Sequence, residues 1–432
     1  MLRQEPENKM HFNSFRFNLQ EFGGALGDLG TLLPLMAALI LVNGLDATLV
    51  LVLVGLFYIL SGLYFRVPMP VQPLKAVAAI AVSFGLSASV IGAAGMIMGL
   101  ILLFLSLTNL ISHVVKLFPK AVVRGIQLSI GLILIKKGIT LAFGGQTFFT
   151  GTPGSAELGH IPLGLLLTVL AVSIFVLFKF VLLKRNERFS PPLALVAFGL
   201  GAGLLFGPIP GMDKLGPSLP GVSLPSGADL WIALTVLVIP QLPLTLGNAV
   251  VGTWDTARTY FGDGARRVSP RALATSMGLA NVAAGLLGGM PMCHGSGGLT
   301  AHYRLGARTG AAGLMIGGVL LAIGLIFGQS AAPVLSLIPL SVLGVMLVIV
   351  GLYHALLVRD LSMPGQVVVT ATVAAVTIGL GNLALGFGAG ILLHHLLKVI
   401  VARGYDGGRM KEIVGWGSTK IGRFVETPEQ TS

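Results

Sequence analysis

An all-α polytopic membrane protein is what this sequence predicts: about fourteen transmembrane spans in two inverted repeats of seven, with two half-helices, each preceded by a short extended segment. The first ground is composition. The 432 residues are 54% hydrophobic and only 10% charged, with mean hydropathy +0.90, whereas soluble domains carry about a quarter charged residues. The second is that apolar stretches long enough to cross a bilayer recur along the chain. The third is a pair of interrupted spans at matching places in the two halves. Proline and glycine break a helix, and at bilayer depth a broken backbone is tolerated only where it lines a protein cavity. Paired breaks in two repeats point to a transporter's substrate site.

In chain order, Met1–Glu21 is a polar tail that runs straight into the first span, with no cleavable signal peptide. Residues 22–206 form the first repeat, spans 1–7. Span 1 carries Gly24-Ala25-Leu26-Gly27-Asp28-Leu29-Gly30-Thr31, an acid among glycines. Span 2 carries Gly55-Leu56 and Gly62-Leu63, and leads into the first break, Pro68-Met69-Pro70-Val71-Gln72-Pro73-Leu74-Lys75. The chain is expected to be extended from Val67 to Pro73 and helical from about Leu74 to Phe84. Residues 207–229 hold five prolines and read as a linker. Residues 230–401 form the second repeat, spans 8–14. Gly278-Leu279 and Gly285-Leu286 lead into the second break, Pro291-Met292-Cys293-His294-Gly295-Ser296-Gly297-Gly298. That break is expected to be extended from Met290 to Gly295 and helical from Ser296 to Arg304. Residues 402–432 form a C-terminal tail, too short for an independent core.

The repeat itself is legible. Gly55, Leu56, Gly62, Leu63, Pro68 and Met69 match Gly278, Leu279, Gly285, Leu286, Pro291 and Met292 at one constant offset of 223. Gly92-Ala93-Ala94-Gly95-Met96-Ile97-Met98-Gly99 then resembles Gly310-Ala311-Ala312-Gly313-Leu314-Met315-Ile316-Gly317, and Leu117-Phe118-Pro119 resembles Leu337-Ile338-Pro339. Small-residue runs of this kind are common where transmembrane helices pack closely. An odd number of spans per repeat makes the repeats inverted.

Net charge is +12, but its distribution argues against nucleic acid. Most of the 28 lysines and arginines fall in alternate loops and the tails, which is the positive-inside pattern. It places both termini in the cytoplasm. The outer side receives Lys136, Lys137 and Lys214, while Lys75 and Lys179 fall within spans. The single cysteine, Cys293, excludes an intramolecular disulfide and a cysteine-cluster metal site. Met292-Cys293-His294 has no second cluster to complete a soft-metal centre. No nucleophile–base arrangement stands out, no nucleotide-binding glycine pattern follows a soluble strand, and no cofactor is implied.

Both half-helices start near the bilayer midplane. Their unpaired N–H groups and partial positive charge, facing each other, form an anion site. Lys75 lies in the first turn of the first half-helix; it either helps hold an anion or pairs with Asp28. Gln72 supplies donors at the break or satisfies freed backbone groups, and Pro73 shapes the same segment. Gly295, Ser296 and Gly297 start the second half-helix, where glycine lets an oxyanion approach backbone N–H groups. Ser296 caps that helix or binds ligand. Asn248 and Thr31 complete the substrate-facing set. Asp28 is a candidate for proton coupling, since an acid beside a bound oxyanion must be protonated or paired; its alternative is a salt bridge or helix cap. His294 is a proton carrier or a polar residue that closes an irregular stretch. Gln241 lines the cavity or bonds a neighbouring helix. Asp255 and Arg258 read as an interfacial ion pair.

Gly27-Asp28-Leu29-Gly30-Thr31, Pro70-Val71-Gln72-Pro73-Leu74-Lys75 and Pro291-Met292-Cys293-His294-Gly295 with Gly297-Gly298-Leu299 resemble the molybdate transporter family, a branch related to the sulfate permease superfamily. Tyr303-Arg304 with Gly306-Ala307-Arg308 extends the last motif. The resemblance implies a uracil permease-like fold of seven plus seven spans. It also implies a core domain of spans 1–4 and 8–11 that binds substrate and moves against a gate domain of spans 5–7 and 12–14 in an elevator-like cycle. Sulfate permeases usually carry a C-terminal STAS domain, and its lack here favours the molybdate branch. Relatives are often dimeric; this sequence carries no sign of a homodimer. The expectation is therefore a secondary transporter of a tetrahedral oxyanion, molybdate first and sulfate second, in the lipid bilayer of a bacterial cytoplasmic membrane. The rival of the same fold is a proton-coupled nucleobase symporter, which should place acids within the membrane in the second half; no glutamate is found there.

Overall fold

A computed structural model describes residues 15–115, 118–143, 157–158, 161–178, 191–207, 215–218 and 224–402. The expectations for most of both tails, for parts of the 207–229 linker, and for Lys179 and Lys214 lie outside these residues. The helices are α1 (Leu19–Ala25), α2 (Leu29–Asn43), α3 (Ala47–Phe65), α4 (Lys75–Phe84), α5 (Ala88–Leu107), α6 (Ile111–Val115), α7 (Lys120–Phe143), α8 (Leu163–Leu177), α9 (Pro191–Phe206), α10 (Gly227–Ile232), α11 (Ile239–Leu244), α12 (Thr253–Phe261), α13 (Pro270–Leu287), α14 (Ser296–Arg304), α15 (Ala311–Ser336), α16 (Leu340–Ala355), α17 (Pro364–Leu380) and α18 (Leu383–Ala402). Four two-residue strands accompany them: β1 (Gln72–Pro73), β2 (Glu157–Leu158), β3 (Ile161–Pro162) and β4 (Met292–Cys293). Among the described residues, eight helical segments are long and apolar enough to cross a membrane, and four shorter apolar helices run between Lys75 and Leu380.

Local chemistry sets the boundaries. Asp46 accepts the Leu49 N–H at 2.8 Å to start α3, Ser87 accepts the Val90 N–H to start α5, and Ser269 with Pro270 starts α13. Each satisfies a donor that the first turn leaves open. Gly44, Gly85 and Gly288 end α2, α4 and α13 at φ of 71°, 64° and 76°, in the left-handed region that favours glycine. Between α10 and α12 the backbone widens to π winding over Ala233–Val238 and Thr245–Gly252. Pro240 and Pro243 lie between those stretches and cannot donate the regular helical hydrogen bond.

The described residues fall into two compact units, one of those within 15–115 and 130–355 and the other of those within 118–129 and 356–402. In the second, α17 packs on α18, and the Thr370 hydroxyl donates to the Ala121 carbonyl at 2.8 Å. Arg124 forks onto Asp360 through Nε at 2.9 Å and Nη2 at 2.5 Å, and Lys120 Nζ joins at 2.9 Å.

The first unit is organised by two long crossings, α3 on α15 and α5 on α13. They meet at the glycines that the repeat comparison picks out. A Cβ at Gly55 would lie 2.7 Å from the Gly317 carbonyl oxygen, and one at Gly62 would lie 2.5 Å from that of Gly310. In the other crossing a Cβ at Gly99 would lie 2.8 Å from the Gly278 carbonyl oxygen, and one at Gly285 would lie 2.6 Å from that of Gly92. Backbone meets backbone at each point, so no flexible side chain can give way. Without a hydrophobic drive between helices in lipid, such close van der Waals packing is a main source of association. Gly62→Val is therefore expected to destabilise the protein by about 1–3 kcal/mol or more, the usual cost of overpacking. Thermal unfolding in detergent measures this, and an unchanged transition would refute the crossing.

Where the crossings converge, the two breaks meet. β1 pairs antiparallel with β4, Gln72 opposite Cys293 and Pro73 opposite Met292. The Leu74 N–H donates to the Pro291 carbonyl at 3.0 Å. Asn281, fully buried on α13, holds both backbone groups of Met292: Nδ2 donates to its carbonyl at 2.8 Å, and Oδ1 accepts its N–H at 2.7 Å. The irregular backbone is thus satisfied by protein, as a membrane interior demands. α4 and α14 leave this point as the two half-helices.

Candidate anion site

The two half-helix N-termini differ. At α4, the Gln241 side-chain carbonyl accepts the Ala76 N–H at 2.8 Å and the Val77 N–H at 3.3 Å, while Gln241 Nε2 donates to Thr245 Oγ1 at 3.0 Å. Gln241 is 2% exposed, so this glutamine closes two of the donors expected to face an anion. At the other end of α4, Asn43 Nδ2 donates to the carbonyls of Ala81 and Leu86. α4 is held at both ends by amides from other helices.

At α14 no side chain caps the first turn. The Leu299 N–H is the first to find a helical acceptor, the Gly295 carbonyl at 3.0 Å. Among the described residues the N–H groups of Ser296, Gly297 and Gly298 have no hydrogen-bond partner. Gly297 is exposed and Ser296 half-buried. The Ser296 hydroxyl donates to Asn248 Oδ1 at 2.7 Å, across to the π-wound stretch, and leaves Asn248 Nδ2 available. Single π turns within helices are frequent at functional sites.

Lys75 is half-buried, and its Nζ lies 3.7 Å from where a Cβ on Gly295 would sit. It forms no ion pair with Asp28; among the described residues the salt bridges are those on Asp360. Asp28 is 1% exposed and instead accepts from the Tyr58 hydroxyl at 3.0 Å and from Gln72 Nε2. Its side chain caps no helix. One N–H of the Gln72 amide therefore goes to Asp28, and its Oε1 is buried without a partner, 2.6 Å from the Cβ position of Gly295. Gly298 packs against the same pair: a Cβ there would lie 2.7 Å from Asp28 Oδ1, Gln72 Nε2 and Pro70 Cβ.

His294 ties the breaks together. Its ring is fully buried, with Nδ1 2.8 Å from the Pro70 carbonyl and Nε2 2.7 Å from Ser276 Oγ. Phe57 stacks on it at 4.8 Å between centroids, and Phe65 meets it edge-on at 5.5 Å. Both ring nitrogens are engaged, which is the geometry of a residue closing an irregular stretch. Pro73 is buried in the strand pair, its carbonyl 3.6 Å from Cys293 Sγ. Thr31 is half-buried on α2, and no hydrogen bond links it to this group among the described residues. The structure thus brings together Asp28, Gln72, Lys75, Gly295, Ser296, Gly297 and Asn248.

Several contributors are silent in the sequence. Tyr58 looks like any aromatic residue of a span. His302, 1% exposed on α14, sets Nδ1 2.9 Å from the Gly24 carbonyl and leaves Nε2 buried without a partner. Glu21, 2% exposed, accepts the backbone N–H groups of Arg308 and Thr309 ahead of α15. Asn281 holds the second break from the helix just before it, while Gln241, read from the sequence as bonding a neighbouring helix, does so across 165 positions. An amide in the middle of a span was the available signal for both.

Open N–H groups on α14, a free amide donor and an ammonium with no ion-pair partner among the described residues form a donor cluster suited to a compact oxyanion, with the Asp28 carboxyl buried behind it. The chain matches the family described as "Molybdate transporter of MFS superfamily" over residues 20–134 and 233–353. It is 34% identical over 409 residues to molybdate transporter 2 of Arabidopsis thaliana, covering 88% of this chain and 87% of the relative. It is 29% identical over 502 residues to molybdate transporter 1 of Chlamydomonas reinhardtii, covering 92% and 93%. Among solved structures, the transmembrane domain of a cyanobacterium bicarbonate transporter, BicA, superposes with TM-score 0.60 at 22% identity, over 88% of this chain and 99% of that one. The murine anion transporter Slc26a9, inward-facing, gives TM-score 0.60 at 17% identity, over 90% and 69%.

Proposed function

Since the chain belongs to the molybdate transporter family, we propose that this integral membrane protein takes up molybdate, with sulfate the second-ranked substrate. The observation that carries the proposal is the open N-terminus of α14 beside the unpaired Lys75. Molybdate's oxygens accept from the N–H groups of Ser296, Gly297 and Gly298 and from Asn248 Nδ2, while Lys75 supplies the full positive charge. Gln72 and Pro73 shape the wall and supply no direct donor.

Fourteen passes in two inverted repeats, 22–206 and 230–401 joined by the 207–229 linker, belong to the same proposal. Support comes from the exchange of helices between corresponding positions. α3 corresponds to α13 and α5 to α15, and each packs on the other repeat's partner through matching glycines. With α13 and α14 added to the long and short apolar helices, the passes number fourteen. Tails 1–21 and 402–432 are placed in the cytoplasm by the positive-inside bias. Asp28 is the coupling group in this reading: it is buried against the site, forms no ion pair among the described residues, and would repel an arriving oxyanion unless it took up a proton. Substrate then crosses by elevator-type motion of the core against the gate. A homodimer and a bacterial cytoplasmic membrane are part of the proposal; the relatives named above are plant and algal.

The test is uptake into proteoliposomes under a proton gradient, with molybdate as the labelled anion and unlabelled sulfate in excess. Uptake that persists in sulfate supports a molybdate carrier. Abolition by equimolar sulfate would make it a general sulfate-class permease. No uptake of either anion, with stabilisation of the purified protein by uracil, would overturn the anion reading in favour of a nucleobase.

A further inference from the structure

A cavity lies between α3 and α13, behind the second break, with a volume of about 640 Å³. That is within the range of ligand pockets. Its walls are mostly apolar, with Leu56, Leu60, Leu279 and Ala283 among them, of which the three leucines are exposed. From Leu53 to Phe65 the groove follows α3 for roughly 18 Å at 1.5 Å per residue, close to the depth of one leaflet of a bilayer whose core is about 30 Å thick.

One end is basic. Arg267 Nη1 donates to the Tyr64 carbonyl at 3.1 Å, which brings the approach to α13 against the C-terminal end of α3. Arg271 lines the cavity, and Arg266, Arg267 and Arg271 are all exposed. Asp263 is the only acid in that connection. The opposite end, near Leu53 and Ala283, carries no charged residue in its lining. Partway along the wall sits the Ser61 hydroxyl, 3% exposed and without a hydrogen-bond partner.

We propose that the α3–α13 groove binds an anionic phospholipid of the surrounding bilayer, with an acyl chain along the leucines and the phosphate between Arg267 and Arg271. The chemistry is that of a basic pocket between membrane helices taking an acidic headgroup. Phe57, Phe65 and Ser276 form the far wall, the residues that pack on and hold His294. A chain in the groove therefore presses on the back of the tie between the two breaks, and loss of the lipid loosens it.

The experiment measures thermal unfolding of the full-length, delipidated protein in detergent after addition of phosphatidylglycerol or phosphatidylcholine. Phosphatidylglycerol is expected to raise the transition well above phosphatidylcholine. The double variant Arg267→Gln, Arg271→Gln should lose at least half of that difference, and Arg359→Gln, outside the groove, should keep it. Leu60→Trp fills the groove from an exposed position and leaves the arginines intact, so it should lose the stabilisation while its lipid-free transition stays close to wild type. Equal stabilisation by the two lipids overturns the proposal, as does a difference that survives in either groove variant. If the arginine variant fails to fold, Leu60→Trp decides the matter alone. None of these readouts depends on which anion is carried.

Discussion

Lys75→Ala should lower molybdate uptake about 10- to 150-fold, with the protein still folded. A hydrogen bond to a charged partner contributes roughly 1.5–3 kcal/mol, and that range sets the factor. The folded state should survive because Lys75 has no ion-pair partner among the described residues to be orphaned, and Asp28 keeps its bonds from Tyr58 and Gln72. A lysine that served Asp28 would behave differently: its removal would leave a buried carboxylate exposed to the full desolvation cost and would unfold the core. Parallel measurement of initial uptake rates and of the unfolding transition separates the two. Lys75→Arg should restore part of the rate, since the charge returns but the fork is larger than the ammonium it replaces. Wild-type uptake in Lys75→Ala would remove the ammonium from the site altogether.

Gly298→Ala should abolish uptake by a different route. The added methyl would sit 2.7 Å from Asp28 Oδ1, Gln72 Nε2 and Pro70 Cβ at once. Those atoms belong to buried residues tied into the strand pair, so the methyl must push Gln72 off Asp28 or push α14 away from the break. Overpacking alone costs about 1–3 kcal/mol, and a buried carboxylate stripped of a donor adds several more. A lowered unfolding transition and lost transport are expected together. Gly297→Ala, one residue earlier, is the control: its Cβ position has nothing within 4 Å and the residue is exposed. That variant should keep its stability and lose transport, because a methyl group then stands where the oxyanion approaches the N–H groups. If Gly298→Ala proved as stable as wild type, the packing of Gln72 and Asp28 against α14 would be wrong.

The backbone plan was readable because its signals are local or periodic. Proline and glycine mark breaks wherever they fall, and a fixed offset between Gly55 and Gly278 needs no knowledge of the fold. The second half-helix runs from Ser296 to Arg304, the bounds expected from the break that precedes it. The glycine matches carried more than a repeat, since the same residues are the crossing points of α3 with α15 and of α5 with α13. The site's wiring was less visible. Gln241 reaches Ala76 over 165 positions, and Glu21 reaches Arg308 over 287. Which amide meets which open N–H depends on helix neighbours, and no period or spacing encodes that. So the sequence could propose two equivalent half-helix ends, while the structure closes one with Gln241 and leaves the other open. In the same way His294 shows in the sequence as an ionisable group in a span, but its meaning rests on Ser276, Pro70 and Phe57, each from another segment.

The exchange of partners between the halves also bears on how the chain is made. α3 leaves the ribosome well before α15 exists, and α5 before α13, yet each needs that later helix to cover its glycine face. α3 and α5 must therefore wait in the bilayer with their crossing faces uncovered until α15 and α13 have been made. Their docking is a late, long-range step and should be slow compared with insertion of single helices. A chain cut in the 207–229 segment would yield two fragments that are each incomplete and that mature only when both are produced in the same membrane.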